Sequence, residues 1–161
     1  MKTILICNQK GGVGKTLIAD ELAFSLERDL IPYSFYDLDN QGSAIHKTVN
    51  NPDAEVQVVD TPGALQENLL EWINEADFII VPTMMSNRDT APLERMINIL
   101  EPFKDKKPVL YVLNKWNRFN QAGAYGISIF EYQKNGLGCR QIEAIYNTVK
   151  YELNLRERWR S

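Results

Sequence analysis

Short apolar runs alternate along this chain with longer stretches in which apolar residues recur every three or four positions. The short runs predict buried strands over residues 3–7, 33–38, 56–59, 78–81 and 109–113, with Pro82 ending the fourth. The longer stretches predict helices over residues 15–28, 65–76, 90–100 and 139–153. This alternation predicts an α/β fold, doubly wound, with a mostly parallel sheet and helices on both faces.

Polar motifs follow the predicted strands at the points where those strands end. These motifs are residues 9–16, Asp37 with Asp39, Asp60, and Asn114. Ligands of parallel α/β sheets bind at the carboxyl ends of the strands, which all lie at one edge of the sheet. The sequence therefore predicts one composite site at that edge.

Length, composition and charge narrow the class of protein. The 161 residues predict a single compact domain over residues 1–161, and a net charge of −3 with 44% hydrophobic residues is ordinary for a soluble globular protein. The two isolated cysteines and the lack of a signal-peptide pattern predict a cytoplasmic location. No apolar run approaches the ~20 residues of a membrane-spanning helix, so no stable membrane insertion is expected. Cys7, which lies in an apolar run, is predicted to be a core residue. Because Cys139 lies far from it and His46 is the single histidine, no zinc site, metal cluster or disulfide is expected.

Residues 9–16 carry the chemistry of a phosphate-binding loop. The strict pattern G-x-x-x-x-G-K-[ST] fails at its first position, where Gln9 stands. The glycines still allow a tight turn that aims N–H groups at phosphate oxygens, while Lys15 reaches the β- and γ-phosphates and Thr16 ligates Mg²⁺. A glycine-rich turn without a ligand is the alternative. The predicted phosphate-binding residues are Gln9, Lys10, Gly11, Gly12, Val13, Gly14, Lys15 and Thr16.

Residues 8–16 resemble the deviant Walker A box of the ParA/MinD superfamily of ATPases, whose mark is the additional lysine, here Lys10. Residues 37–44 resemble the switch I segment of ParA proteins, although Asn40 stands where proline is usual. Residues 58–63 are similar to the Walker B strand and switch II, and residues 128–132 to the segment before the last helix. Gln9 resembles the ParA-like partition branch of this superfamily.

The resemblance implies a role for each charged residue of these motifs. Lys15 neutralises the phosphates of its own subunit, and Lys10 crosses a dimer interface to the phosphates of the partner. Two copies then enclose the nucleotide, so ATP binding drives homodimerisation and hydrolysis is slow. Asp39 orients the attacking water. The alternative for Lys10 is a solvated lysine beside a polyanion. The implied Mg²⁺ ligands are Thr16, Asp37 and Asp60.

Gly63 and Asn114 complete the predicted nucleotide site. The main-chain N–H of Gly63 is expected to touch the γ-phosphate, as part of a loop that rearranges on hydrolysis. Residues 114–117 partly match the guanine-reading motif N-K-x-D, but Asn117 stands where that motif needs a carboxylate. By resemblance Asn114 contacts adenine, and ATP is therefore favoured over GTP.

The resemblance also implies a task, which the nucleotide site alone does not determine. A ParA-like ATP dimer binds DNA non-specifically at the nucleoid and positions plasmids or chromosomes with an activating, centromere-binding partner protein of the ParB kind. Alternatives are a conjugation or mobile-element accessory ATPase, a MinD-like protein at the membrane surface, and a switch that binds ATP without hydrolysing it. The candidate DNA-binding residues are Arg140, Lys150, Arg156, Arg158 and Arg160. The basic C-terminal tail can equally contact anionic lipid or be solvated.

Overall fold

The described residues form one sheet of five parallel strands. The computed structural model describes residues 1–39, 44–63, 68–84, 90–114, 122 and 125–155. The strands are β1 (Lys2–Ile6), β2 (Tyr33–Asp37), β3 (Val56–Asp60), β4 (Phe78–Met84) and β5 (Val109–Asn114). Their spatial order is β2-β3-β1-β4-β5, with every neighbouring pair parallel. The predicted parallel α/β sheet is confirmed.

Helices cover both faces of this sheet. They are α1 (Lys15–Arg28), α2 (Leu69–Glu75), α3 (Thr90–Leu100), α4 (Ile129–Tyr132) and α5 (Leu137–Leu153), with a 3₁₀ turn at Glu101–Phe103. Side chains alternate along β1, so Ile4 and Ile6 pack with α1 and α5, whereas Leu5 and Cys7 pack with α2 and α3. Complete burial of each such aliphatic side chain stabilises the fold by roughly 1.5–3 kcal/mol.

Pro82 does not end β4, which continues to Met84, so the predicted strand end is wrong. Proline lacks the N–H group that a strand interior normally uses. At Pro82 this costs nothing on the β1 side, because β1 has already ended at Ile6 and the Pro82 carbonyl instead accepts a hydrogen bond from the Asn8 side chain. On its other side, Pro82 pairs in register with Val112 of β5.

Helices α1 and α3 have the predicted bounds, whereas the other helices differ from the predictions at their ends. The described part of α2 begins at Leu69, and residues 64–67 of the predicted helix lie outside the described residues. The last helix begins two residues earlier than predicted, at Leu137, and the one-turn helix α4 was not predicted. The predicted apolar stripe of the last helix is buried as expected: Ile142, Ile145, Tyr146 and Val149.

Cys7 is a buried core residue, as predicted. Burial raises the pKa of its thiol to about 12, although the nearby Lys15 charge acts in the opposite direction. The thiol is therefore neutral and unreactive at physiological pH. Among the helices within the described ranges, none is long and apolar enough to cross a membrane.

Candidate nucleotide-binding site

The loop between β1 and α1 adopts a conformation that requires glycine at position 14. Gly14 caps the helix with a φ of +96°, in the left-handed region. A Cβ atom at Gly14 would also lie 2.3 Å from Nδ2 of Asn114. That amide nitrogen donates to the Val13 carbonyl at 2.9 Å, and Asn114 is 7% exposed. Asn114, the last residue of β5, therefore holds the loop in place through its hydrogen bond to Val13.

The entry to the loop is held by Asn8, which was not among the predicted site residues. The Asn8 side chain donates through Nδ2 to the Pro82 carbonyl at 2.7 Å and accepts the main-chain N–H of Lys10 at 3.1 Å. Beside it, Nε of Arg95 donates to Oε1 of Gln9 at 3.0 Å. The loop is thus fixed to β4 and α3 before it reaches its glycines, which sets the main-chain position of Lys10.

Lys15 lies inside the loop, with 5% of its surface exposed. Its Nζ donates to the Lys10 carbonyl at 3.0 Å. Burial lowers the pKa of this ammonium group, while the negative charges of Asp60 and Asp39 raise it. The predicted phosphate-binding lysine is therefore buried in the loop beside the carboxylates, in a place where charged phosphate oxygens would offset the cost of burial.

Asp60 is fully buried at the end of β3, and neither of its carboxylate oxygens accepts a hydrogen bond from the described residues. Burial raises the pKa of Asp60 to about 7, and the negative charges of Asp37 and Asp20 add to the increase. Lys15 and the Thr16 hydroxyl oppose it, although that hydroxyl approaches the carboxylate without reaching hydrogen-bond geometry. A buried negative charge without hydrogen-bond donors is costly, and a bound cation would offset that cost.

Asp37 and Asp39 lie on the neighbouring strand end. Asp37 pairs in register with Asp60, and its Oδ1 accepts the Asp39 N–H at 2.9 Å. Within the described ranges, no group of three or more His, Cys, Asp or Glu side chains could hold a metal ion. Mg²⁺ commonly takes one or two carboxylates and completes its shell with water and phosphate oxygens. The residue types of Thr16, Asp37 and Asp60 fit such a phosphate-dependent site.

Gly63 brings the segment after β3 into contact with the loop between β1 and α1. A Cβ atom at Gly63 would lie 2.8 Å from the Gly11 nitrogen and 2.9 Å from the Gly11 Cα. Only glycine allows the two backbones to approach so closely. The predicted γ-phosphate contact of the Gly63 N–H stays a prediction, but Gly63 lies directly against the loop that would hold that phosphate.

The segment that precedes the last helix is fastened to α1 by Glu21. The Glu21 carboxylate accepts the Ser128 hydroxyl and the Ile129 N–H, both at 2.7 Å. Burial raises the pKa of Glu21, and these two hydrogen bonds oppose the increase. The adjacent acids Asp20 and Glu21, which stand among apolar residues of the predicted helix, are the sequence signal for this contact.

The candidate DNA-binding residues fall into three groups. Arg140 is exposed on α5. Nζ of Lys150 lies 3.2 Å from Asp29 and 4.7 Å from the centre of the Tyr146 ring, so its charge is engaged within the molecule. Arg156, Arg158 and Arg160 lie outside the described residues, as do residues 40–43 of switch I and Asn117.

The parallel sheet and its glycine loop at the start of α1 define a nucleotide-binding domain of the P-loop class. The sequence matches the family model described as the CobQ/CobB/MinD/ParA nucleotide binding domain over residues 4–151. The chain therefore belongs to this family, and the predicted membership of the ParA/MinD superfamily is confirmed. A search of curated protein sequences finds no match.

Solved structures with the same fold include nucleotide complexes. An aspartate-to-alanine variant of McdA from Cyanothece bound to ATP is 14% identical, with a TM-score of 0.72 over 99% of each chain. The septum site-determining protein MinD from Pyrococcus horikoshii, bound to Mg-ADP, is 14% identical with a TM-score of 0.68, over 94% of this chain and 98% of its own. A plasmid partition protein from Borrelia burgdorferi is 16% identical with a TM-score of 0.63, over 92% and 98%.

Proposed function

We propose that this chain is an ATPase that binds Mg²⁺ and ATP at the phosphate loop, dimerises around the nucleotide and hydrolyses it slowly. The observation that carries the proposal is the buried Lys15 inside the loop, next to an Asp60 carboxylate that accepts no hydrogen bond from the described residues. Phosphate oxygens give the lysine its counter-charge, and a phosphate-bound Mg²⁺ gives the carboxylate its cation. ATP and Mg-ADP in relatives of the same fold support this choice of ligand.

The proposed roles are those that the resemblance to ParA proteins implies for each side chain. Mg²⁺, when bound, neutralises charge on the phosphates, and Thr16, Asp37 and Asp60 would hold it. Lys15 binds the phosphates of its own subunit, whereas Lys10 of the second copy approaches from across the interface. Asp39 orients the water that attacks the γ-phosphate. The proposed contacts of Gly63 with the γ-phosphate and of Asn114 with adenine complete the site.

We further propose that the ATP dimer positions DNA, as in plasmid or chromosome partition. Support comes from the ParA-like motifs and from the fold shared with the Borrelia plasmid partition protein. Arg140 is the exposed candidate for DNA contact in the described part of the chain, and the tail residues Arg156, Arg158 and Arg160 remain candidates on their charge. Lys150 contributes less, because it is paired with Asp29. A ParB-like partner would stimulate hydrolysis, and the ATP dimer would associate with the nucleoid.

Size-exclusion chromatography with light scattering, with and without Mg²⁺–ATP, tests dimerisation. We expect wild type to dimerise only with ATP, Asp39→Ala to remain dimeric because hydrolysis is blocked, and Lys10→Ala to stay monomeric. Lys134→Ala, which removes an exposed lysine outside the loop, is the matched control and should behave as wild type. A wild-type protein that binds ATP but neither dimerises nor releases phosphate would refute the proposal.

Parallel runs with DNA and with anionic lipid vesicles test the task. Retention of the ATP dimer on DNA of unrelated sequences, with a steep loss as salt rises, is the expected result. The fold shared with MinD makes a membrane surface the second candidate. Retention on vesicles and none on DNA would favour that candidate, and dimerisation without phosphate release would favour a non-hydrolysing switch.

A further inference from the structure

The loop that joins β2 to β3 is fastened to α1 by a buried carboxylate, that of Asp20, which is 4% exposed. Oδ2 of Asp20 accepts the main-chain N–H of Ile45 at 3.0 Å, and Oδ1 accepts that of His46 at 2.9 Å. Nδ1 of His46 also donates to Oδ1, at 2.7 Å. Every partner of this carboxylate among these contacts is an N–H donor on the same two residues, so Asp20 fixes the downstream end of the loop to the helix that begins at the phosphate loop.

The His46 ring makes this attachment rigid. Its centre lies 4.4 Å from that of Phe24 on α1 and 5.5 Å from that of Phe35 on β2. On the side away from Asp20, Nε2 lies 3.5 Å from a carboxylate oxygen of Glu27. The ring is held between a helix and an edge strand, which leaves Ile45 and His46 little freedom to leave Asp20.

Two further hydrogen bonds connect the backbone segment after His46 to Asp39. Thr48, two residues after His46, accepts the Asp37 N–H through its hydroxyl oxygen at 3.1 Å. Oδ1 of Asp37 then accepts the Asp39 N–H at 2.9 Å. Below these contacts, Phe35 and Val49 exchange two main-chain hydrogen bonds of 3.0 and 2.9 Å, which close the base of the loop.

We propose that Asp20 is a positioning residue for Asp39. It ties residues 45–46 to α1, and the Thr48–Asp37 contacts transmit that position to the Asp39 main chain. Helix α1 begins at Lys15 and also carries Thr16. The phosphate loop and Asp39 are therefore both positioned relative to the same helix. The effect on turnover rests on the proposed function, whereas the effect on the Asp39 main chain does not.

Glu21 provides a matched control on the same helix. A glutamine at position 21 can accept the Ile129 N–H and donate to Ser128, whose hydroxyl rotates to suit its partner. An asparagine at position 20 cannot adapt in this way, because its NH₂ group would face the Ile45 N–H, a donor against a donor. Both substitutions remove one buried charge, but only Asp20→Asn breaks the attachment.

Residue-resolved amide hydrogen exchange on the nucleotide-free protein tests the positioning directly. In Asp20→Asn we expect the Ile45, His46 and Asp39 amides to exchange about 10-fold faster, while the Ile129 amide is unchanged. Glu21→Gln should leave the Asp39 amide as in wild type. Asp39 exchange that stays at the wild-type rate in Asp20→Asn, with unchanged thermal unfolding, would overturn the proposal.

Kinetics with Mg²⁺–ATP supply the second readout. Asp20→Asn should lower kcat by about 10- to 100-fold, because small misplacements of a group that orients a reactant are costly, with the Kd for ATP changed little. Thr48→Val, at an exposed position, removes one of the two hydrogen bonds that connect the segment after His46 to Asp39 and should also lower kcat without unfolding the protein. A Kd that rises while kcat holds would overturn the proposal. Absence of turnover in wild type would instead refute the proposed function, and the exchange of the Asp39 amide would still decide the position of Asp39.

Discussion

Two groups of buried carboxylates adjoin the phosphate loop, and their surroundings differ. Asp20 and Glu21 on α1 accept hydrogen bonds from the main chain of distant segments. Asp60 at the end of β3 is just as buried, but its oxygens accept none from the described residues. Buried carboxylates normally have hydrogen-bond donors. Asp20 and Glu21 have them and attach loops to α1, whereas the lack of donors at Asp60 in the described part of the chain indicates a site for a cation. Burial alone does not separate a structural acid from a binding one, whereas the count of donors does.

Among these acids, replacing Asp60 should have the largest effect, and the effect should be on Mg²⁺-dependent ATP binding. Asp60→Asn removes the negative charge that a Mg²⁺ ion would neutralise, and we expect Mg²⁺-dependent ATP binding to weaken by at least about 10-fold, the lower end of what outer-shell partners of metals contribute. Titration of a fluorescent ATP analogue at several Mg²⁺ concentrations measures this. Asp29→Asn, at the far end of α1, is the control, and equal losses in both variants would contradict the assignment.

The same substitution should stabilise the nucleotide-free protein at alkaline pH. Asp60 ionises near 3.8 in the unfolded chain, whereas burial holds its pKa at about 7 in the folded protein. The unfolded state loses this proton first, so the free energy of unfolding falls as pH rises from about 4 to 7. Urea unfolding at pH 8 should show Asp60→Asn more stable than wild type by roughly 1–3 kcal/mol, with the difference absent below pH 4. A destabilised variant at pH 8 would show that Asp60 has donors.

The structural acid Glu21 should respond in the opposite way. Glu21→Ala leaves the Ser128 hydroxyl and the Ile129 N–H without their buried acceptor, so we expect a loss of roughly 1–3 kcal/mol in the free energy of unfolding. Glu21→Gln should lose less, since it can keep both hydrogen bonds. Urea unfolding at pH 7 compares the two variants, and identical losses would mean that packing rather than hydrogen bonding sets the cost.

An exposed ion pair should give the smallest change in the free energy of unfolding. Nζ of Lys2 lies 3.0 Å from Oδ1 of Asp77 at the amino end of the sheet, away from the nucleotide site. Because about half of the Lys2 side chain is in contact with water, Lys2→Met should change the free energy of unfolding by less than about 1 kcal/mol. Urea unfolding at low and high salt checks this, and a larger, salt-dependent change would show that the pair is more than a surface contact.

The motifs could be predicted from the sequence because each is local. The glycines of the loop, Lys15 and the strand ending at Asp60 are read within a few residues, and the family match supports that reading. The end of β4 was mispredicted because the fate of Pro82 depends on Asn8, 74 residues away. The role of Asn114 as a clamp on Val13 spans 101 residues and has no local signal.

By itself the sequence determined the strands, the parallel α/β class, the phosphate loop and the acids expected around it. These follow from periodicity and from motif spacing, which are set by chain geometry over short distances. Only the tertiary structure decided which acids have donors: Asp20 and Glu21 sit opposite main-chain N–H groups of remote segments, and Asp60 has no donor among the residues that the structure describes. The physical reason is that the cost of a buried charge depends on the groups that folding brings to it, and those groups come from distant parts of the chain.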